Sequence, residues 1–240
     1  LSYQLRVIEG LILKFNKMRK LFFALPALIL LASCGGSSTD NAKTTSEQTV
    51  AAQKGESLPI DTAATSIDWR ATHKGGLAPR WGKISVSSGT VSVNKDSLSG
   101  GEFVINMGTL YVNPASVTEK DKKASDLEGH LKSPDFFDAA KFPTAKFVIT
   151  KVEAFKGAQP SSLVADPNYL ISGNLTLKDS TLNITFPAKV EISATGVTAS
   201  AKFVIDRSAW GINYKAEGSP ENWIISKDVE IGMTLKAPKK

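Results

Sequence analysis

The chain has 240 residues, 42% of them hydrophobic and 22% charged, with a formal net charge of +6. Residues 1–33 hold Arg6, Lys14, Lys17, Arg19 and Lys20 against Glu9 alone, which leaves 24 basic and 22 acidic side chains in the remainder, too balanced for a nucleic-acid footprint. A single cysteine, Cys34, excludes a disulfide framework, and two histidines, His73 and His130, are too few for a multi-histidine metal centre.

Met18-Arg19-Lys20 is a charged start, and Leu21 to Leu31 is an apolar run too short to span a bilayer comfortably. Leu31-Ala32-Ser33-Cys34 then places small residues before a lone cysteine. This is the three-part pattern of a bacterial lipoprotein signal over 18–33, with 1–17 read as upstream over-extension. Cleavage would leave Cys34 as the first mature residue, carrying several acyl chains. At about 0.8 kcal/mol per buried CH₂ these hold a membrane durably where one chain does not. From 34 to 58 the chain is rich in Ser, Thr, Gly, Ala and Gln without apolar period, which predicts a flexible tether. The folded domain is expected over 59–238, long enough to bury about 70% of its unfolded surface in one core.

Apolar side chains alternate at period two along that domain. Ile67-Trp69-Ala71, Phe103-Ile105-Met107, Val197-Ala199-Ala201-Phe203-Ile205 and Val229-Ile231-Met233-Leu235 each oppose a polar set, as does the long run from Leu182 to Ile192. Shorter signals lie at Ile84-Val86, Val91-Val93, Phe147-Ile149 and Ile171-Leu175-Leu177. The parity change between Val86 and Val91 predicts a turn or bulge near Ser88-Gly89. About eight one-sided strands joined by short polar gaps give an all-β antiparallel fold, either a sandwich or an up-and-down barrel. The long strands over 182–192 and 197–206 favour the barrel. Ala188, Ala199 and Ala201 leave room in its wall for a ligand, while a simply packed core satisfies the same pattern.

One run breaks the β pattern: His130 to Phe147, HLKSPDFFDAAKFPTAKF. Ser133 reads as a helix N-cap, Pro134 as the first helical residue and Asp135 as a first-turn acid. A short helix is therefore predicted over Phe136–Lys141, ending at Phe142 before Pro143. Its aromatics are core, or cavity lining if the helix crosses a barrel opening.

The sequence holds no metal-ligand spacing, glycine-rich phosphate loop or nucleophile elbow. His130 either contacts a polar head group at a cavity mouth or fastens a turn, and one loop histidine needs no more than the second role. Arg207 is an anion clamp, or it stacks on Trp210 or pairs with a carboxylate.

The 130–147 run, the Trp69 strand, Gly173-Asn174-Leu175-Thr176-Leu177 and Arg207-Ser208-Ala209-Trp210-Gly211 together resemble the YceI-like family of bacterial lipid (polyisoprenoid)-binding proteins, over roughly residues 65–236. The resemblance implies a lipocalin-like eight-stranded antiparallel β-barrel with a helix packed near it. Its apolar interior, in some members, holds a long isoprenoid chain without catalysis. Two positions depart from the family: Glu128 stands where an Asp is usual, and Lys178-Asp179-Ser180 where the turn usually carries Gly. The cavity or mouth residues expected from strand faces and resemblance are Trp69, Phe103, Ile105, His130, Phe136, Phe137, Phe147, Leu175, Leu177, Ile184, Phe186, Phe203, Ile205, Arg207 and Trp210. Cys34 is the expected lipidation site, and neither a metal nor a catalytic residue is expected.

The expected function is that of a lipoprotein anchored through Cys34, on the periplasmic side of the outer membrane. Its barrel would bind, sequester or carry an isoprenoid quinone, a polyprenyl lipid or another long amphiphile, with no other cofactor. A dry-barrel interaction or stress-response module and a lipid-modifying enzyme using His130 are the competing readings. Homodimerisation is left open.

Overall fold

The alternating runs form strands in a computed structural model, which describes residues 41–50, 52–73, 78–156, 163–216 and 225–239. The expected signal sequence, Cys34 and residues 1–17 lie outside these. The strands are β1 (Lys43–Ser46), β2 (Glu56–Pro59), β3 (Ser66–His73), β4 (Ala78–Asn94), β5 (Ser97–Val112), β6 (Thr144–Ala154), β7 (Tyr169–Leu177), β8 (Ser180–Ser193), β9 (Gly196–Asp206) and β10 (Ile225–Pro238). Helix α1 (Ala124–Lys132) lies between β5 and β6, and 3-10 turns occupy Pro114–Ser116 and Arg207–Trp210. Hydrogen-bonded neighbours run β8-β7-β6-β5-β4-β3-β10-β9, and β9 returns to β8. Eight antiparallel strands therefore close into a barrel, which settles barrel against sandwich. Period-two alternation sends one face of each of these eight strands inward.

Two glycines let large rings lie close against the wall. Gly82 pairs with Trp69 on one side and Val112 on the other, and the Trp69 indole N–H reaches over it to donate to Tyr111 O at 3.2 Å. A Cβ at Gly82 would come within 1.8 Å of that same carbonyl oxygen. Gly173 lies beneath the Phe147 ring, 2.2 Å from where its Cβ would be. The expected irregularity near Ser88 is a bulge inside an unbroken β4: Val86 pairs with Ile105 and Ser88 with Val104, leaving Ser87 unmatched.

The helix is displaced from its expected place. It spans Ala124–Lys132, and Ser133, read from sequence as its start, is its C-cap. The Ser133 hydroxyl and N–H both donate to His130 O, at 2.8 and 3.1 Å. Residues 134–141 fold as turns closed by Phe137 N–H to Leu131 O and Ala139 N–H to Lys132 O, with Asp138 in the left-handed region at φ +46. Ser-Pro serves a helix exit as well as an entrance, because proline cannot continue the ladder it follows.

Part of the expected tether is bound to the barrel. β1 pairs with β8 at Leu182–Thr185, and β2 pairs with β4 at Thr90–Val93. Backbone hydrogen bonds make these contacts while nearly every side chain stays exposed, so no apolar period marks them. The small residues Ala188 and Ala201 are buried in the core and do not border the main cavity described below, contrary to the expected roomy wall. Ala199 borders only a small void.

Candidate ligand-binding cavity

Phe103, Phe147, Phe186 and Phe203 point inward from β5, β6, β8 and β9 and meet as a chain of rings, with successive centroids 6.3, 5.8 and 4.0 Å apart. Beyond them, away from α1, Val91, Leu98, Ile149, Ile171, Val190 and Val197 pack the barrel and leave a void of only about 20 Å³. On the α1 side the barrel is hollow. A cavity of about 590 Å³ is walled almost wholly by inward apolar side chains, and Phe103, Phe147 and Phe186 border both spaces as its floor. This volume lies in the range of small-molecule sites.

The mouth is framed by the ends of β3 and β4, by α1 and by the connection after β9. Polar side chains gather there: His73, Arg80, Glu119, Lys122, Lys123, Asp126 and Lys215. Arg80 grips Glu119 with two contacts of 2.6 and 2.7 Å and donates to Ser116 O at 2.6 Å, tying the segment before α1 to the rim. His130 stands at the edge, its Nε2 3.0 Å from Asp135 Oδ2 and its ring edge-on to Phe136 and Tyr214 at 5.1 and 4.9 Å.

Arg207 is 5% exposed and borders the cavity, yet its fork is spent on the fold. Nε donates to Ser226 O, Nη1 to Ile212 O, and Nη2 to Tyr214 O and Ile225 O, at 2.5 to 3.0 Å. It staples the connection after β9 to the start of β10 and lies 5.7 Å from the Phe136 ring centre. Burial lowers its pKa, with the Asp206 charge opposing. Burial alone would raise Asp206, but hydrogen bonds from Ser208 and the charge of Lys227 outweigh it and leave the carboxyl below its ordinary value.

A model of the YceI-like domain matches residues 58–237. The chain belongs to this family. A UPF0312 protein of Shewanella denitrificans is 34% identical over 131 residues, which is 54% of this chain and 59% of that relative. A UPF0312 protein of Shewanella sp. strain ANA-3 is 28% identical over 196 residues, 79% of this chain and 90% of its own length. Among solved structures, Burkholderia cenocepacia BcnA shares the fold at a TM-score of 0.54 and 19% identity, over 74% of this chain and 99% of that one. A polyisoprenoid binding domain from Saccharophagus degradans, implicated in plant cell wall breakdown, aligns more loosely, at 0.49 and 13% identity, over 75% and 98%.

In this YceI-like domain, every cavity or mouth residue expected from sequence borders the hollow except Trp210. Trp210 is 2% exposed, and its indole N–H donates to Leu175 O at 2.9 Å, so it wedges the turn after β9 against β7. Both family departures have structural work. Glu128 accepts the Val112 N–H at 2.9 Å and ties α1 to the end of β5. Lys178 adopts φ +55, the backbone a glycine would take in that turn. Sequence reasoning missed Leu127 and Leu131 of α1 and Ile212, Tyr214 and Ile225, all of which line the cavity. The signal for the α1 pair was their helical i, i+4 spacing; the other three lie in or beside an irregular connection where period two says nothing.

Proposed function

We propose that this YceI-like domain binds and carries a single long-chain amphiphile, of isoprenoid or similar type, as a binding protein and not as a catalyst. The observation that carries this reading is the hollow half of the barrel, about 590 Å³ with apolar walls and a polar rim at one end. Such a shape accepts a chain inside and leaves a head group at the rim. Burial of apolar area at about 25 cal/mol per Å² supplies the driving force. We further propose that Cys34 is acylated and holds the domain to a bacterial envelope membrane, on the periplasmic side of the outer membrane. The support is the three-part signal ending at a lone cysteine.

Liposome-to-protein transfer of a polyprenol, read by mass spectrometry of the separated protein, tests the carrier role. One chain per barrel is the expected stoichiometry, and a protein that takes up neither polyprenol nor a fatty acid defeats it. Globomycin treatment of expressing cells tests the anchor. Accumulation of the uncleaved precursor is expected, and normal processing defeats it.

A further inference from the structure

The seam between β8 and β9 is hydrogen-bonded only from Ala188↔Ala201 to Ser193↔Gly196. Its sequence cause is Pro187. Ala188 accepts from Asn168 on the β7 side, so residue 187 turns its backbone toward β9, where proline has no N–H to give. From there to the α1 end the ladder is absent, although Phe186 and Phe203 still stack at 4.0 Å. Along that stretch β8 and β9 meet each other through side chains. Ile184, Phe186, Phe203 and Ile205, two from each strand, all border the cavity.

Residues 41–48 bridge this opening. β1 pairs with Leu182–Thr185 of β8, and Ala42 N–H donates to Val204 O of β9 at 2.9 Å. Asn174 holds the far end like a strand partner: its Oδ1 accepts Gln48 N–H at 3.0 Å and its Nδ2 donates to Gln48 O at 2.7 Å. Asn183 presets that clamp by donating to Asn174 Oδ1 at 2.9 Å. The side chains from Lys43 to Val50 are exposed. Backbone bonds with little apolar burial mark a segment that opens locally well before the barrel unfolds. The segment also precedes residue 58, where the family match begins.

We propose that residues 41–48 are a releasable stave in the barrel wall. Docked, the stave seals the β8–β9 seam; released, it opens a side entrance through which a long chain enters the cavity without threading the mouth. The entrance rests on the lipid-binding reading above, whereas release of the stave does not. Six residues separate Cys34 from Asn41 in the sequence.

The test reads release and exchange separately in the full mature chain. In amide hydrogen exchange, Ala42 and Gln48 are expected to exchange at least tenfold faster than the amides of β7. Asn174→Ala, which removes both bonds to Gln48, should raise that rate about tenfold again, given two bonds of ordinary net strength. Stopped-flow transfer of a dansyl-labelled farnesyl chain reads the entrance. Asn174→Ala should accelerate uptake and release together by about the same factor, leaving affinity unchanged. A disulfide between Lys43→Cys and Thr185→Cys, opposed across the β1–β8 pair, should slow both until it is reduced. Wild-type transfer rates in both variants overturn the entrance. Stave amides as protected as those of β7 overturn the stave itself. A probe that binds no form of the protein defeats the lipid-binding reading and the entrance with it, while amide exchange still decides the stave.

Discussion

Replacing Arg207 by lysine keeps the positive charge and removes the planar fork. The native fork reaches four carbonyls on two separate stretches of chain, Ile212 and Tyr214 on one and Ile225 and Ser226 on the other. A lysine ammonium concentrates its three donors at one point and cannot span them. At least two carbonyls lose their partner in a site where Arg207 is 5% exposed, each at about 1–3 kcal/mol. Arg207→Lys is therefore expected to cost about 3–5 kcal/mol, the range found when a buried charged network is broken. At about 2–4 °C per kcal/mol for a domain of this size, Tm should fall by about 6–20 °C. Guanidinium denaturation followed by tryptophan fluorescence measures the loss. Binding of cis-parinaric acid, measured well below the lowered Tm, should be retained. A variant within about 1 kcal/mol of wild type that has lost chain binding would refute the stapling role and restore Arg207 as an anion clamp.

The two barrel halves should respond oppositely to one change. Ala145→Leu, beside the hollow, should alter stability by less than about 1 kcal/mol and weaken long-chain binding, whereas Ala188→Leu, in the packed core, should cost about 1–3 kcal/mol; equal penalties in denaturant melts would contradict a half-filled barrel. Gly82→Ala should prevent a native near-ultraviolet spectrum or cost several kcal/mol, since its Cβ meets the Tyr111 carbonyl oxygen at 1.8 Å. Asp206 has a folded-state pKa below its ordinary value, so its contribution is fully present above the unfolded carboxylate range near 4 and is lost as pH falls through the lower folded value. The stability gap between wild type and Asp206→Asn should thus hold at pH 7 and close on acidification below about pH 4; a gap unchanged down to pH 2 would contradict that sign.

Much of the barrel was legible in the sequence because alternation reports directly which face of a strand is buried. Trp69, Phe103, Phe147, Ile184 and Phe203 all sit on the faces their parity assigns, and all border the cavity. Which half is hollow was not legible, since that depends on where four phenylalanines from four strands meet across the barrel. The helix was misplaced because Ala124–Lys132 has no side-chain cap at its start, contains Gly129 and buries no residue fully, while Ser133-Pro134 just beyond it imitates a beginning. β1 and β2 were invisible for a related reason: of their eight side chains only Leu58 is buried, so no apolar period marks them. Pro187 was visible in a strand pattern, and its meaning depends on knowing which neighbour its missing N–H faces.

Native mass spectrometry of the protein released gently from the membranes of expressing cells tests the carrier reading most directly. A hollow barrel built to hold one chain should retain a single long-chain lipid, displaceable by added polyprenol and lost in an Ile84→Trp or Met233→Trp variant that fills the cavity. A protein that is uniformly empty from membranes, and stays empty after exposure to polyprenols, quinones and fatty acids, would contradict it.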